Sequence, residues 1–474
     1  MIQMLHLNTG LYTDHYELTM AQGYFKSGMK DTPAVFDFFF RKNPYDGGYV
    51  IFSGLEELLE TLQNFCFDGV SCNYLAGIGF DSEFISYLES FRFNADVYSV
   101  EEGEVVFPDE PCVRVEGNII ETQLIETLLL NMLNFHSLIA TKAARIRDVA
   151  GDSLLVDFGL RRAQGYGGIQ ASRAAVAGGF EQTSNVFSAF HYGLESTGTM
   201  AHSWVQSFGD ELTAFRTYSR IYPDRCILLV DTYNTLKSGV PNAIKVGLEM
   251  EKLGKKLLGI RLDSGDLAYL SSEARKMLDW AGLEYVHIIA SNQLDEYVIK
   301  SLKEQSAPID AYGVGTALTT GKGSGALDGV YKVSMVDGKP TLKVSENVRK
   351  SNLPGRKSIY RFRDEHGKFT ADGIALEDEK GMETIYHPYE QGKSLDVSRF
   401  SMERINGKVM ERGSALIGKK APEKIAERVS SGLKALPAEH RRFMNPHIYK
   451  VGISRKLLEL RETLLKEKTA QYSH

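Results

Sequence analysis

The chain predicts an α/β fold with a β/α barrel at its centre, and three observations carry that prediction. Between Cys226 and Thr316, short apolar runs alternate with stretches of helical composition: CILLVDTYNT, KKLLGIRLDSGDL, YVHIIASNQLDE and IDAYGVGT. Runs rich in Ile, Leu and Val, bounded by polar residues, are how buried parallel strands read in sequence. Their onsets recur about every 25 to 30 residues, the length of one βα repeat. Each run also ends in polar residues or glycine, and α/β sheets and barrels bind ligands at the carboxyl ends of their strands. Asp231, Arg261, Asp263, Ser291, Asn292, Gly313 and Gly315 are therefore expected to face one pocket.

A chain of 474 residues exceeds one ordinary core, so two or three domains are expected. With 43% hydrophobic and 24% charged residues it has the make-up of a globular protein. The net charge of -6 argues against a nucleic acid or an anionic membrane as main partner. Cys66, Cys72, Cys112 and Cys226 form no C-x-x-C pair, which argues against a structural zinc site or a disulfide framework. The opening MIQMLHLNTGLYTDHY lacks the basic segment and apolar core of a signal peptide, and no apolar run is long enough to cross a bilayer. A cytoplasmic protein is expected.

Taken in order, residues 1–135 read as an N-terminal α/β domain. Thr13 or Asp14 can cap a helix that carries Leu18, Ala21 and Phe25 on one side. AVFDFFFRK follows as an aromatic strand with an alternating pattern, then helical segments around Leu55 to Phe65 and Asp81 to Phe91, then short strands from Ala95 to Val115. The run from Ile120 to Gly151 is helical by periodicity and leads into the barrel domain, residues 136–330. There SLLVDFG delivers Phe158, Gly159, Arg161 and Arg162, and GTMA delivers His202 and Ser203. About six βα units in succession favour a barrel over an open sheet. Residues 331–474 form a C-terminal β and helical region, opened by a hairpin around Asp337-Gly338 and helical and charged from Pro422 to Lys468.

The chemistry of the strand ends is mixed. Asp263-Ser264-Gly265-Asp266 sets two carboxylates and a tight turn beside a helix start, suited to magnesium through water, to ribose hydroxyls, or in Asp266 simply to capping. Gly313-Val314-Gly315-Thr316 lets backbone N–H groups close on an anion. It is no Rossmann fingerprint, and Gly321-Lys322-Gly323 is no Walker motif. Arg161 and Arg162 can clamp a carboxylate or pyrophosphate, or pair with a structural acid. Phe158 at a strand tip can stack on a planar ring. Together these suit a phosphorylated sugar and a flat heterocycle.

The stretches TDHYELTMAQGY (Thr13 to Tyr24), DFGLRRAQG (Asp157 to Gly165), GTMAHSWVQSF (Gly198 to Phe208), LLVDTYNTLKSG (Leu228 to Gly239), GIRLDSGDL (Gly259 to Leu267) and YGVGT (Tyr312 to Thr316), with Lys343 to Arg361, resemble the nicotinate phosphoribosyltransferases of the type II phosphoribosyltransferase family. The likeness runs along almost the whole chain. It implies an irregular β/α barrel flanked by an N-terminal α/β domain, and transfer of nicotinate onto 5-phosphoribosyl 1-pyrophosphate (PRPP). It further implies coupling to ATP hydrolysis through a phosphohistidine at His202, a magnesium requirement, and a homodimer with shared active sites. By the same resemblance Asp263 and Arg261 join His202 in catalysis, with Asp263 able to meet the metal through water or substrate. Tyr16, Phe158, Arg161 and Ser203 would bind nicotinate, Tyr16 entering from the other subunit. Arg261, Asp263, Asn292, Gly313, Gly315 and Thr316 would bind PRPP. Nicotinamide-using relatives carry an aspartate after the DFG-type strand end; the matching position is Ser184, with Glu181 the nearest acid. Rival readings are a nicotinamide or other pyridine phosphoribosyltransferase, a non-catalytic nucleotide sensor that should have lost His202 or the RLDSGD acids, and a phosphate-binding aldolase. The last requires a Schiff-base lysine at a strand end, and these clusters supply none.

Overall fold

The computed structural model describes residues 9–344, 351–390 and 392–472. The chain divides into two compact units, residues 1–138 with 326–420 and 427–474, and residues 139–325 with 421–426.

The first unit holds two large sheets. Strand Pro33–Phe40 pairs antiparallel with Gly329–Val336 on one side and Val113–Asn118 on the other. The latter continues through Asp96–Val100 to Asn406–Glu411. The alternating pattern expected of Pro33–Phe40 is not one of burial, since every residue after Pro33 is buried. Both faces of this central strand are covered, and its single charge, Asp37, is neutralised by the buried Lys357 at 2.8 Å. The expected hairpin is present, with Asp337 and Gly338 both at positive φ, as a two-residue turn between twisted strands requires. The second sheet is built around Lys357–Arg363 and Phe369–Leu376. A short strand, Val451–Ile453, pairs parallel with the latter and interrupts what reads in sequence as a continuous helical end. Residues 331–474 thus contribute strands to both sheets of this unit. Of the segment from Lys343 to Arg361, residues 345–350 lie outside the described residues.

Asn118 opens the helical run with a capping box, its side chain accepting from Ile120 and Glu121 N–H. The run is two helices, Ile119–Leu124 and Glu126–Ala150. Helix His15–Lys26 starts at Asp14, whose carboxylate caps nothing and instead accepts the Thr127 hydroxyl at 2.9 Å.

The second unit is the barrel. Its seven parallel strands, numbered here in chain order, are β1 (Leu154–Asp157), β2 (Gln182–Thr183), β3 (Glu195–Ser196), β4 (Ile227–Leu229), β5 (Gly259–Leu262), β6 (His287–Ser291) and β7 (Ala311–Val314). They lie in the order β3-β2-β1-β7-β6-β5-β4. The curled sheet is an open half-barrel, since β3 and β4, consecutive in sequence, form its two edges. The central strands are apolar because helices cover them: Leu155, Ile260, Ile288 and Ala290 are all fully buried. Each such Leu or Ile contributes about 1.5 to 3 kcal/mol relative to exposure. GTMA (198–201) is not a strand; β3 lies just before it, and His202 opens the short helix His202–Gln206.

Candidate functional site

Strand register brings the functional residues to one end of the sheet. Val314 lies opposite Asp157, Gly313 opposite Ser291, and Ala290 opposite Leu262, so the residues that follow β1, β5, β6 and β7 emerge together.

Asp157 is the structural brace of this edge. One carboxylate oxygen accepts the Gly159 N–H at 2.8 Å, and the other accepts the hydroxyls of Ser172 at 2.7 Å and Thr183 at 2.8 Å. Burial raises its pKa, while these three donors oppose the rise by stabilising the anion. The brace fixes the turn from which Phe158 projects. A Cβ at Gly313 would fall 2.4 Å from the Phe158 ring, so glycine there makes room for the ring. A Cβ at Gly159 would fall 2.0 Å from Thr319. Gly313 is thus a steric requirement of the Phe158 ring, and Gly159 one of the close approach of Thr319.

The β4 and β5 ends form a second network. Asp231, its side chain 1% exposed, uses Oδ2 to accept the Asp263 N–H at 2.8 Å and the Ser264 hydroxyl at 2.6 Å, while its Oδ1 accepts no hydrogen bond among the described residues. Asp263 Oδ1 accepts from Ser291 Oγ and, at 3.3 Å, from Arg261 Nη2. Its Oδ2 carries no hydrogen bond among the described residues and lies 3.8 Å from His202 Nε2. His202 is oriented by Thr232, with Nδ1 to Oγ1 at 3.1 Å, so that Nε2 faces both carboxylates, 3.9 Å from Asp231 Oδ1. Arg261 donates to Ser291 at 3.0 Å, to Thr199 at 2.6 Å and to the Met200 carbonyl at 3.4 Å, and its guanidinium lies 5.5 Å from the Phe158 ring centroid. With Asp263, these contacts occupy four of its five N–H donors and leave one.

A cavity of about 360 Å³ opens at these strand ends. Its wall includes Phe158, Arg161, Arg162, Asp263, Ser291, Asn292, Gly313, Gly315 and Thr316. Neither arginine side chain has an ion-pair partner among the described residues, which leaves both cations for a ligand. Asn292 and Gln293 turn the wall with successive positive φ of 77° and 49°, a region that asparagine tolerates and glutamine seldom adopts.

Of the residues singled out from sequence, Asp263, Asn292, Gly313, Gly315, Thr316, Phe158 and Arg161 meet in this wall. His202 and Arg261 stand beside it, tied to it through Asp263. Ser203 is exposed and is not part of the wall, and its carbonyl accepts from Ser207 in a local helical turn. Tyr16, 45% exposed, belongs to the first unit. Asp266 is a helix cap, accepting from Ala268 and Tyr269 N–H at 3.1 Å. Ser184 follows β2 at the same carboxyl edge, its N–H donating to the Asp157 carbonyl at 2.8 Å. Glu181 lies at the opposite, amino end of β2, bound by Arg147 at 2.6 Å and by the Leu155 N–H. The sequence pattern does not mark Thr199, Gln293 or Lys322 as site residues, and loop geometry places them. Thr232, not among the expected site residues either, directly follows Asp231 at a strand end and is legible by the same rule.

Among the described residues no cluster of three or more His, Cys, Asp or Glu could cage a metal ion. Magnesium, however, is commonly held by one or two carboxylates together with substrate oxygens and water. Asp263, with Oδ2 unbonded and its side chain 23% exposed, fits that mode of binding.

A parallel sheet whose strands end together around such a cavity defines an α/β enzyme working at the carboxyl edge of its strands. The family described as "Nicotinate phosphoribosyltransferase (NAPRTase) family" matches residues 153–387, and its N-terminal and C-terminal domain descriptions match residues 11–134 and 356–461. The chain belongs to the nicotinate phosphoribosyltransferase family and is an enzyme of that class. It is 42% identical over 457 residues to the nicotinate phosphoribosyltransferase of Bacillus subtilis, covering 94% of this chain and 92% of that protein. It is 31% identical to that of Homo sapiens, covering 96% of both. The crystal structure of human nicotinic acid phosphoribosyltransferase superposes with a TM-score of 0.85 at 29% identity, covering 95% of this chain and 99% of the other.

Proposed function

We propose that this enzyme joins nicotinate to PRPP, giving nicotinate mononucleotide and pyrophosphate, the first step of NAD synthesis from nicotinate. It couples the transfer to ATP hydrolysis through phosphorylation of His202. The observation that carries this reading is the cavity itself, where a strand-tip aromatic ring, two arginines without an ion-pair partner among the described residues and a half-open carboxylate share one wall. The pyridine nitrogen attacks ribose C1 as the bond from C1 to the pyrophosphate oxygen breaks, and pyrophosphate leaves with the electron pair. No general base is needed, because the nucleophilic nitrogen carries no proton near neutral pH. Catalysis is then positioning plus stabilisation of the positive charge that develops on the ribose. Asp263 would meet that charge; Ser291 and Arg261 hold one of its oxygens, which supports this role. Magnesium, held by Asp263 and substrate oxygens, would neutralise the leaving pyrophosphate. Thr232 holds the His202 ring with Nε2 toward the carboxylates.

Phe158 stacks on the nicotinate ring, and Arg161 and Arg162 are available to its carboxylate or to phosphate. The amide of nicotinamide would instead need an acidic acceptor. Counting from Phe158 without gaps, the position matching the relatives' aspartate would be Ser184, and Glu181 is held by Arg147. An unpaired amide N–H costs about 1 to 3 kcal/mol, and loss of a charge-assisted bond a comparable amount. Discrimination of about a hundredfold or more follows. Release of pyrophosphate from PRPP with nicotinate or nicotinamide is the test, and equal kcat/KM for the two would refute the reading.

The same proposal includes a cytoplasmic homodimer in which the exposed Tyr16 of one copy completes the site of the other. Mixing inactive Tyr16→Ala with inactive Phe158→Ala protein should then restore activity. Absence of recovery despite demonstrated subunit exchange would place each site within a single chain.

A further inference from the structure

One cation of the cavity wall, Lys322, is left unused by this scheme. Lys322 lines the cavity with its side chain 64% exposed, and its Nζ lies 3.6 Å from Asp295 Oδ2. Strong ammonium–carboxylate hydrogen bonds are near 2.7–2.9 Å, so the pair is a loose tether. The two partners differ in rigidity. Asp295 Oδ1 caps helix Glu296–Glu304, accepting from Tyr297 N–H at 3.1 Å and Val298 N–H at 2.9 Å. The next residue, Glu296, is fully buried and bound by Lys142 Nζ at 2.8 and 3.0 Å and by Arg145 Nε at 3.0 Å. Asp295 is therefore fixed, with Oδ2 as its spare acceptor. Lys322 sits between Gly321 and Gly323, at φ of 59° and 105°, on a turn that glycine adopts without strain. Its long flexible stem adds further freedom. Arg261 by contrast is locked by four contacts, and Arg161 and Arg162 have no carboxylate partner among the described residues.

We propose that Lys322 is a further substrate-binding residue, parked on Asp295 and transferred to a phosphate or pyrophosphate oxygen of PRPP when that substrate enters. This rests on reading the cavity as the phosphoribosyl site. Two acceptors compete for one ammonium, and the multiply charged phosphate competes better than the carboxylate it displaces. Asp295 therefore opposes substrate binding while Lys322 favours it, so substitutions at two adjacent residues shift affinity in opposite directions.

The test is calorimetric titration of the full-length protein with PRPP at 0.15 M salt, for wild type, Lys322→Met, Asp295→Asn and the double variant. Asparagine keeps the helix cap while removing the competing charge. Lys322→Met is expected to weaken binding about tenfold and Asp295→Asn to tighten it two- to fivefold. The double variant should match Lys322→Met within about twofold, because Asp295 acts through the lysine. Lys322→Arg should retain most of the affinity, and the nicotinate Kd should not move. Unchanged binding in Lys322→Met overturns the proposal, as does weakened binding in Asp295→Asn, which would make Asp295 a cap alone. If wild type binds no PRPP, the reading of the site fails; if it binds and all variants bind alike, only this inference fails.

Discussion

Asp157 and Asp263 stand at equivalent places in one sheet, each at the carboxyl end of a parallel strand, yet their oxygens are used in opposite ways. Asp157 is completely buried and both its oxygens are saturated by Gly159, Ser172 and Thr183. Asp263 has one oxygen bound by Ser291 and Arg261 and the other unbonded. The residue type is the same, and the neighbouring donors decide which carboxylate braces the fold and which remains available for chemistry. Asp231 is intermediate: one oxygen braces the Asp263 turn, and the other, buried without a hydrogen bond, faces His202.

Substitution at the two equivalent positions should therefore separate activity from stability. Asp263→Asn is expected to lower kcat/KM for PRPP by about a thousandfold, the scale of a lost electrostatic group at a reacting centre. Its thermal midpoint should stay within a few degrees of wild type. Asp157→Ala strands three buried donors and should lower unfolding free energy by about 2 to 4 kcal/mol in a denaturant titration. A stable Asp157→Ala protein, or an Asp263→Asn protein as active as wild type, would break the contrast.

His202 sharpens it on the chemical side. His202→Ala should abolish nicotinate- and PRPP-stimulated ATP hydrolysis while leaving a slow transfer that ATP does not stimulate, because the cavity wall is untouched. Full ATP stimulation in that variant would remove His202 from its role.

The smallest expected effect comes from a third buried carboxyl, Glu17 in the first unit. Burial raises its pKa from 4.5 to about 7, against hydrogen bonds from Thr127 and Thr13 that favour the anion. Between those values the folded state holds a proton that the unfolded state has lost, so its contribution to stability falls as pH rises from about 4.5 to about 7 and is level above. Glu17→Gln should flatten that segment of the profile, a change on the order of 2 kcal/mol between pH 5 and 7.5. An unchanged slope between those two pH values would show that Glu17 titrates normally.

The sequence by itself determined the strands β1 and β4 to β7 and the residues that follow them, because a strand buried on both faces must be continuously apolar and its end must turn polar. It could not show β2 and β3, two residues each, since their pairing is supplied by neighbours rather than by any pattern of their own. Nor could it show Val451–Ile453, a strand inside a helical stretch that a parallel partner more than seventy residues earlier recruits. At the site, Asp263, Phe158 and the glycines were legible from their place at strand ends. Only the tertiary structure decided that Gly313 exists for the Phe158 ring, that Arg261 is largely consumed by its neighbours, and that Lys322 lies in the wall beside Asp295. Those distinctions depend on which donors and acceptors meet across loops distant in sequence, and periodicity carries no information about such meetings.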